Sequence, residues 1–366
     1  MAGNKSGEFA EIISPFLRRK MAELIRNHGW DSPEVQAIAR QYLRSPREDM
    51  ILPQERRRHY ESEMTILFED QPVQGIERLY RRTILIEPTT VCAAHCRWCL
   101  RGQYPVQTLK RDQITHATRY IGSRELAEDV DEVLITGGDP LMSLPLLGFT
   151  LGELTRNAPN VKRVRIGTRY PHFDFELGVN VNHPLEFWDE CVEAIARLQA
   201  QGIRFYNQHP LLRGVNDDID TLVALYEKLR QNRIEAHYLF HAIPMRGMSH
   251  HRTSLTRGAK LAARLSSCGH FSGRAKPRYA VLSDIGKIVI YDGVVCDQRE
   301  ESGELLLNSG YKLHERRQWN PAWQPPPSVL VDNEGYMRTW YLDARTDEDL
   351  ENNPPDMISR DALATI

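Results

Sequence analysis

The sequence predicts an α/β fold built on a parallel sheet, open or closed into a barrel, and three observations carry that prediction. Short apolar runs rich in branched residues alternate with helix-periodic runs of roughly 12–18 residues through the middle of the chain, the pattern of repeated βαβ units. Before them, polar sequence spaces its apolar residues at helical intervals ("EIISPFLRRKMAELI", "VQAIARQYL"). After about residue 270 the character changes to paired β-rich runs joined by turn signals. The expected organisation is a helical N-terminal segment (1–75), the α/β unit (76–265) and a β-rich C-terminal extension (266–366) that ends in an acidic, loosely ordered tail.

Taken in order, "RTILIEPTTVC" (82–92) reads as a buried strand, and "DEVLITGGDP" (131–140) as a strand followed by a glycine turn. "LLGFTLGELTRNA" is helical and "VKRVRIGTRY" (161–170) is a strand. A helix over 184–202 ends at Gly202, "IRFYNQHPLL" is a strand, "DIDTLVALYEKLRQN" a helix and "EAHYLFHAIP" a strand. In "GVND" (214–217), Asn216 or Asp217 suits the N-cap of the following helix. In the extension, "SDIG" and "DNEG" are the turns of two strand pairs, with a Pro/Trp-rich connector, "QWNPAWQPPPS", between them. Parallel α/β sheets place functional residues at the C-terminal ends of their strands. The cysteines, "TGGDP", "GTR" and "NQHP" all fall there.

Of 366 residues, 41% are hydrophobic and 26% charged, as in a soluble globular protein. A net charge of −2 gives no electrostatic footprint for nucleic acid or an anionic membrane. The basic run "QERRRHY" (54–60) reads as a solvated helix face. No apolar run approaches the roughly 18–20 residues of a membrane span, and the N-terminus lacks a signal-peptide pattern. These features predict a cytoplasmic protein, where six cysteines argue against a disulfide framework.

Three of the six, Cys92, Cys96 and Cys99, lie within eight residues in "VCAAHCRWCLRG". Structural zinc usually takes four ligands in two pairs, and no second pair exists: Cys191, Cys268 and Cys296 are scattered singly. Cys191 reads as a small buried hydrophobe of an amphipathic helix. Three thiolates on one loop suit three irons of a [4Fe–4S] cube, leaving the fourth iron open to a substrate or cosubstrate. His95 is a candidate fourth ligand, although its neighbour Cys96 would strain chelation of the same cube.

The C-x3-C-x2-C spacing at a strand end, with Trp98 before the third cysteine, resembles the radical S-adenosylmethionine superfamily. "CAAHCRWCLR", "TGGDPL" (136–141), "RIGTR" (165–169), "VNHPLE" (181–186), "NQHPLLRGVND" (207–217) and "YLFHAIPMRGMSHHRT" (238–253) follow in the order of the lysine 2,3-aminomutase family, over roughly residues 70 to 290. The resemblance implies a partial (β/α)6 barrel and a [4Fe–4S] cluster on Cys92, Cys96 and Cys99. It implies S-adenosyl-L-methionine as cosubstrate, cleaved on one-electron reduction to a 5′-deoxyadenosyl radical, with a donor such as flavodoxin or ferredoxin. The cosubstrate would meet Trp98, Thr136, Gly137, Gly138, Asp139, His183 and Gln208. Read as residues, Gly137 and Gly138 let backbone amides approach a polar ligand, Asp139 can fix a turn, and His183 suits a structural role equally well. Arg101 matches the family arginine for the substrate carboxylate, a task suited to a guanidinium fork. The relatives' habit of assembling implies a homo-oligomer.

Family aminomutases carry pyridoxal phosphate on a Schiff-base lysine, and here the match frays. Lys287, after Gly286, is the best candidate and Lys276 a competitor; a protein without the cofactor is the third reading. The expected phosphate-binding arginine falls on Leu79, with Arg78 adjacent. Where lysine-specific members hold the side-chain ammonium with an aspartate, this chain has Ile243, which cannot compensate a buried charge. His241 and Arg246 nearby suit a neutral or acidic side chain better. The sequence therefore points to a radical 2,3-aminomutase for an α-amino acid other than lysine. The alternatives are a dehydrogenase, lyase or epimerase without pyridoxal phosphate, and a non-catalytic iron–sulfur carrier or metal-stapled scaffold.

Overall fold

In the computed structural model, which describes residues 11–51, 55, 66–78, 80–101, 106–167, 176–270, 276–344, 355 and 357–360, helices α1 (Pro15–His28) and α2 (Pro33–Tyr42) form the N-terminal layer. Each starts with a serine side chain, Ser14 or Ser32, that accepts a first-turn amide, followed by proline. Both devices suit a helix start, where proline lacks only an N–H that has no partner anyway. A small hairpin, β1 (Leu67–Phe68) and β2 (Gln71–Pro72), leads to the edge strand β3 (Ile76–Glu77).

The expected alternation follows: β4 (Thr83–Thr89), α3 (Arg111–Ile121), α4 (Arg124–Ala127), β5 (Glu132–Gly137), α5 (Leu144–Asn157) and β6 (Arg163–Gly167). It continues with β7 (Glu176–Val179), α6 (Asp189–Gln199), β8 (Phe205–Leu211), α7 (Ile219–Gln231), β9 (Ile234–His241), α8 (Leu255–Ser267) and β10 (Arg278–Ser283). Strands β4 to β10 lie side by side in chain order, all parallel. Antiparallel β3 and β11 (Gly286–Val289) finish the two edges of this nine-stranded sheet. The remaining strands, β12 (Val295–Arg299), β13 (Glu304–Lys312), β14 (Val329–Val331) and β15 (Tyr336–Leu342), form a separate antiparallel sheet, with helix α9 (Leu313–Trp319) after β13.

The large sheet is curled. Flat, its two edges would stand eight strand spacings apart, about 38 Å. Instead Lys287 of β11 has its Nζ 5.6 Å from the ring of Tyr80, three residues beyond β3. Helix α9 joins the same two edges: the Arg78 guanidinium lies 5.1 Å over Trp319, and Arg316 donates to Ile285 O at 2.5 Å. The expected partial barrel is therefore present, its lateral gap bridged by the C-terminal extension. Alternate residues of the strands (Ile84, Ile86, Val133, Ile135, Ile166, Leu177) are buried in one core with Ile121, Leu147, Leu154, Leu222 and Leu225 of the helices. The other face of each strand looks into the lumen.

Three expectations change. The parallel strands number seven, one more than expected, because β7 is only four residues long and no helical pattern announces it. Only eight residues, 168–175, link β6 to β7; they include Thr168 and Arg169 of "RIGTR" and lie outside the described residues. The β10–β11 hairpin, correctly signalled by "SDIG", pairs with β9, so the barrel sheet continues past residue 265. In the acidic tail, Ile358 is buried against α1 and α2, taking a bond from Trp30 Nε1 at 3.0 Å and giving one to Gln36 Oε1 at 2.6 Å. Among the described residues no helix is long and apolar enough to cross a membrane.

Gly258 of α8 faces β10 so closely that a Cβ there would stand 1.8 Å from the Tyr279 hydroxyl, itself held 2.7 Å from His241 Nδ1. Gly258→Ala should therefore destabilise by about 1–3 kcal/mol of overpacking, outweighing the ~1 kcal/mol that alanine usually adds to a helix. Urea denaturation followed by circular dichroism reads the sign.

Candidate functional site

The cysteine loop leaves the C-terminal end of β4. Cys92, Cys96 and Cys99 are all half-buried, and the loop turns through a Cys99 N–H bond to Cys96 O at 3.0 Å. Among the described residues, no three His, Cys, Asp or Glu side chains converge as a mononuclear metal site requires. A cube binds each thiolate at a different corner, so its ligands need not meet at one point, and an all-thiolate set is the usual one. The N-terminal layer holds the loop from outside: His95 N–H donates to Ile12 O and Arg97 N–H to Gln41 O, each at 2.8 Å. Buried Arg97 also pairs with Glu48, and Ala94 and Cys96 pack against the α1–α2 core.

On the inner side the loop meets the end of β5. Gly138 N–H donates to Thr89 O and Asp139 N–H to Val91 O, both at 2.8 Å. A Cβ on Gly138 would stand 2.3 Å from Val91 O, and Gly137 has φ +116. These glycines thus allow close approach, but the amides of Gly138 and Asp139 are committed to the cysteine loop and do not point to a ligand. Asp139 does fix a turn, with Oδ1 accepting Leu141 N–H at 3.0 Å. Thr136 is half-buried one step below.

His183 caps a short turn: its Nδ1 accepts Leu185 N–H at 3.2 Å, which leaves the ring proton on Nε2. Burial pushes its pKa down to about 4, so the ring is neutral at pH 7. Glu186 Oε1 takes the Asn182 and His183 amides, each at 2.9 Å. Gln208 is half-buried on β8, at the register shift after Asn207. Trp98 reaches across the mouth to pack on Leu212, Val215 and Ala242, beyond the ends of β8 and β9. The cap of α7 is Asp218, whose Oδ1 accepts Thr221 N–H at 2.8 Å. Asn216 instead ties the end of β8 to Asn182 O at 2.9 Å, and Asp217 accepts Gly214 N–H at 2.7 Å.

The lumen is polar and aromatic. Arg101 is buried between two carboxylates, bonded to Glu87 and, at 3.3 Å, to Glu77. Burial opposes its charge, yet Glu87 and Glu77 more than offset that and hold its pKa up. Burial pushes the Glu87 carboxyl up against the pull of Arg101, and Glu77 adds to the rise. The guanidinium expected to grip a substrate carboxylate is thus engaged by the chain's own. Lys287 differs: its Nζ lies 4.7 Å from the ring of Tyr238, 5.2 Å from Phe240 and 5.6 Å from Tyr80. No carboxylate partners it among the described residues. Burial, with Arg165 nearby, lowers its pKa to about 8. Lys276, at the entry to β10, has no such setting.

Three expectations about this lumen change. His241 does not line it: alternation along β9 turns Tyr238 and Phe240 inward and sends His241 outward, 2.7 Å from Tyr279. Arg246 is exposed. Glu77 and Glu87, which sequence reading passed over, are the carboxylates of this lumen, and both are engaged by Arg101. A carboxylate in the otherwise apolar "TILIE" was the available signal for Glu87. Leu79 lies outside the described residues, as does the run 54–60 apart from Glu55. Arg78 sits over Trp319 and beside Tyr120 of α3.

No family model matches the chain. It is 32% identical over 234 residues to the L-lysine 2,3-aminomutase of Methanococcus maripaludis, covering 58% of this chain and 53% of that protein. Against the L-lysine 2,3-aminomutase of Clostridium subterminale, identity is 30% over 233 residues, 58% of this chain and 55% of the relative. Against the glutamate 2,3-aminomutase of Clostridioides difficile it is 29% over 233 residues, 57% and 53%. The chain thus spans about half the length of each of these relatives.

Gly138→Ala should push the end of β5 off the cysteine loop, because the atoms a Cβ would meet are backbone. The expected result is a protein that folds but retains less than about half of the wild-type iron after anaerobic reconstitution, since displaced supports typically cost ten-fold or more in metal affinity. Iron and sulfide assays check it.

Proposed function

Given a chain that is a divergent relative of the 2,3-aminomutases, we propose that it is a radical S-adenosylmethionine isomerase that shifts an amino group between C2 and C3 of an α-amino acid. The observation that carries this reading is Lys287: an amine of lowered pKa, walled by three rings in the lumen of the barrel whose mouth bears the three-cysteine loop. A structural lysine would be expected to pair with a carboxylate or reach water, whereas this one is set up as a nucleophile.

In this reading Cys92, Cys96 and Cys99 hold the [4Fe–4S] cluster, fed by a one-electron donor of flavodoxin or ferredoxin type. Trp98, His183 and Gln208 hold the cosubstrate together with the segment from Thr136 through Gly137 and Gly138 to Asp139, which meets its amino end with acceptors, the amides of Gly138 and Asp139 being spent on Thr89 and Val91. Bound there, S-adenosylmethionine would supply a hydrogen-abstracting carbon radical on one-electron reduction, and pyridoxal phosphate, held by Lys287, would supply the aldehyde carbon that carries the amino group as it migrates. Neutral His183 offers its Nε2–H as a donor while Nδ1 stays on Leu185. At pH 8 about half of the Lys287 population is neutral amine, against under 1% for an ordinary lysine. Arg101 receives a substrate carboxylate only by sharing its fork with, or displacing, Glu87.

Two results test the reading. Anaerobically reconstituted protein should cleave S-adenosylmethionine on reduction, and Cys92→Ala, Cys96→Ala and Cys99→Ala should each lose that cleavage; retention in all three would sink the assignment. Borohydride treatment after incubation with pyridoxal phosphate should fix the cofactor to Lys287, with a yield that rises with pH through about 8, because only the deprotonated amine attacks. Peptide mapping that finds the adduct on Lys276 moves the cofactor to that lysine and ends the role of Lys287, and no adduct at all removes the aminomutase step. Cleavage without any adduct would then favour the reading without pyridoxal phosphate, which the leucine at position 79 also suits.

A further inference from the structure

The N-terminal helices lie outside the barrel, yet one residue of α2 touches both halves of the proposed cosubstrate site. Gln41 is fully buried. Its main-chain carbonyl accepts Arg97 N–H at 2.8 Å, between the second and third cysteines of the loop. Its side chain turns the other way: Oε1 accepts Asn182 Nδ2 at 2.6 Å, and Nε2 donates to Glu186 Oε1 at 3.3 Å. That bond is the only one the Asn182 side chain makes among the described residues, its own Oδ1 being buried without a partner. Glu186 Oε1 in turn holds the Asn182 and His183 amides, and Asn182 O receives Asn216 Nδ2, which also bonds Pro210 O at 3.1 Å near the end of β8.

We infer that Gln41 is a positioning residue for the cosubstrate site, fixing the cysteine loop and the His183 loop relative to each other. The physical reason is that it ties the two loops together directly. The loop after β4 and the loop after β7 belong to strands separated by β5 and β6, so the sheet's own ladder sets their spacing only through two intervening strands. A glutamine offers a carbonyl on one side and an amide on the other, both ends paired, in a site where an unpaired polar atom would be costly. Methionine has the same length and keeps the main-chain bond to Arg97. It severs the link to Asn182 and Glu186.

This inference rests on the cosubstrate reading, and the experiment separates the two. Wild type, Gln41→Met, His183→Ala and the double variant are reconstituted anaerobically and reduced. S-Adenosylmethionine is then titrated while the electron paramagnetic resonance spectrum of the cluster is followed. Gln41→Met should keep wild-type iron content and a cooperative thermal transition, its midpoint lowered because the Asn182 amide loses its partner, but need about ten-fold or more S-adenosylmethionine for the same spectral change, the usual cost of losing an outer support. In the His183→Ala background the same substitution should add less than about two-fold, because it acts through His183. Should Gln41→Met fail to fold, Asn182→Ala cuts the same link from the other side and is read identically. A wild-type-like titration, or an equal weakening with and without His183, overturns the role of Gln41 alone. A wild-type spectrum that S-adenosylmethionine leaves unchanged overturns the parent reading and this role with it.

Discussion

Two amide-to-carbonyl bonds, from Gly138 to Thr89 and from Asp139 to Val91, join the end of β5 to the segment that delivers the cysteines. Buried peptide groups must find partners, and here the partners are supplied across neighbouring strand ends only because position 138 lacks a side chain. Once those bonds form, Asp139 is turned to cap the next helical turn and the cysteine loop is anchored on its inner side. Ile12 and Gln41 anchor its outer side through two further amides. The loop's backbone is therefore fixed from both directions before any ligand arrives, the condition under which a set of ligands is preorganised. A loop held from one side only would have to lose that freedom on binding.

The lumen treats its two central cations in opposite ways. Arg101 meets two carboxylates in a buried setting, so its charge is more than balanced and Glu87 is the member pushed toward protonation. Lys287 meets three rings and a neighbouring guanidinium, so its charge is disfavoured. Aromatic faces attract a cation, but by less than burial costs it when no carboxylate is near. One interior thus holds a permanently charged group and a readily neutral one, the pair to which the proposed function gives recognition and covalent chemistry. Divergent electrostatic settings of this kind assign roles within a site.

How much of this was legible in the sequence follows from the range of the forces involved. Period-two and helical runs exposed β4, β5, β8 and β9, because each buries its apolar face along its whole length. The cysteine spacing and the "SDIG" hairpin were equally local and equally readable. What failed was short or depended on distant partners. β7 has four residues, and no helical pattern in the sequence marks it. His241 looked available beside Ile243, but strand alternation sends it toward Tyr279. The capping role offered to Asn216 went to Asp218, because Asn216 is bound across to Asn182. Gln41 lies about 140 residues from its partner in the chain, and nothing near it in sequence hints at the link.

The same dependence on distance shows in the setting of Lys287, near the C-terminal limit of the resemblance. The low pKa of Lys287 is not written in β11. It comes from Tyr80 beyond one sheet edge, from Tyr238 and Phe240 on β9, and from Arg165 on β6. Those groups surround one amine only because the sheet curls until its edges meet. Helix α9 holds them there, with Trp319 against Arg78 at one edge and Arg316 on Ile285 at the other. If the edges parted, water would reach the amine, the burial term that dominates its shift would fade, and Lys287 would return toward the pKa of an exposed lysine. The lowered pKa of Lys287 is thus a product of barrel closure, to which the extension contributes by bridging the gap.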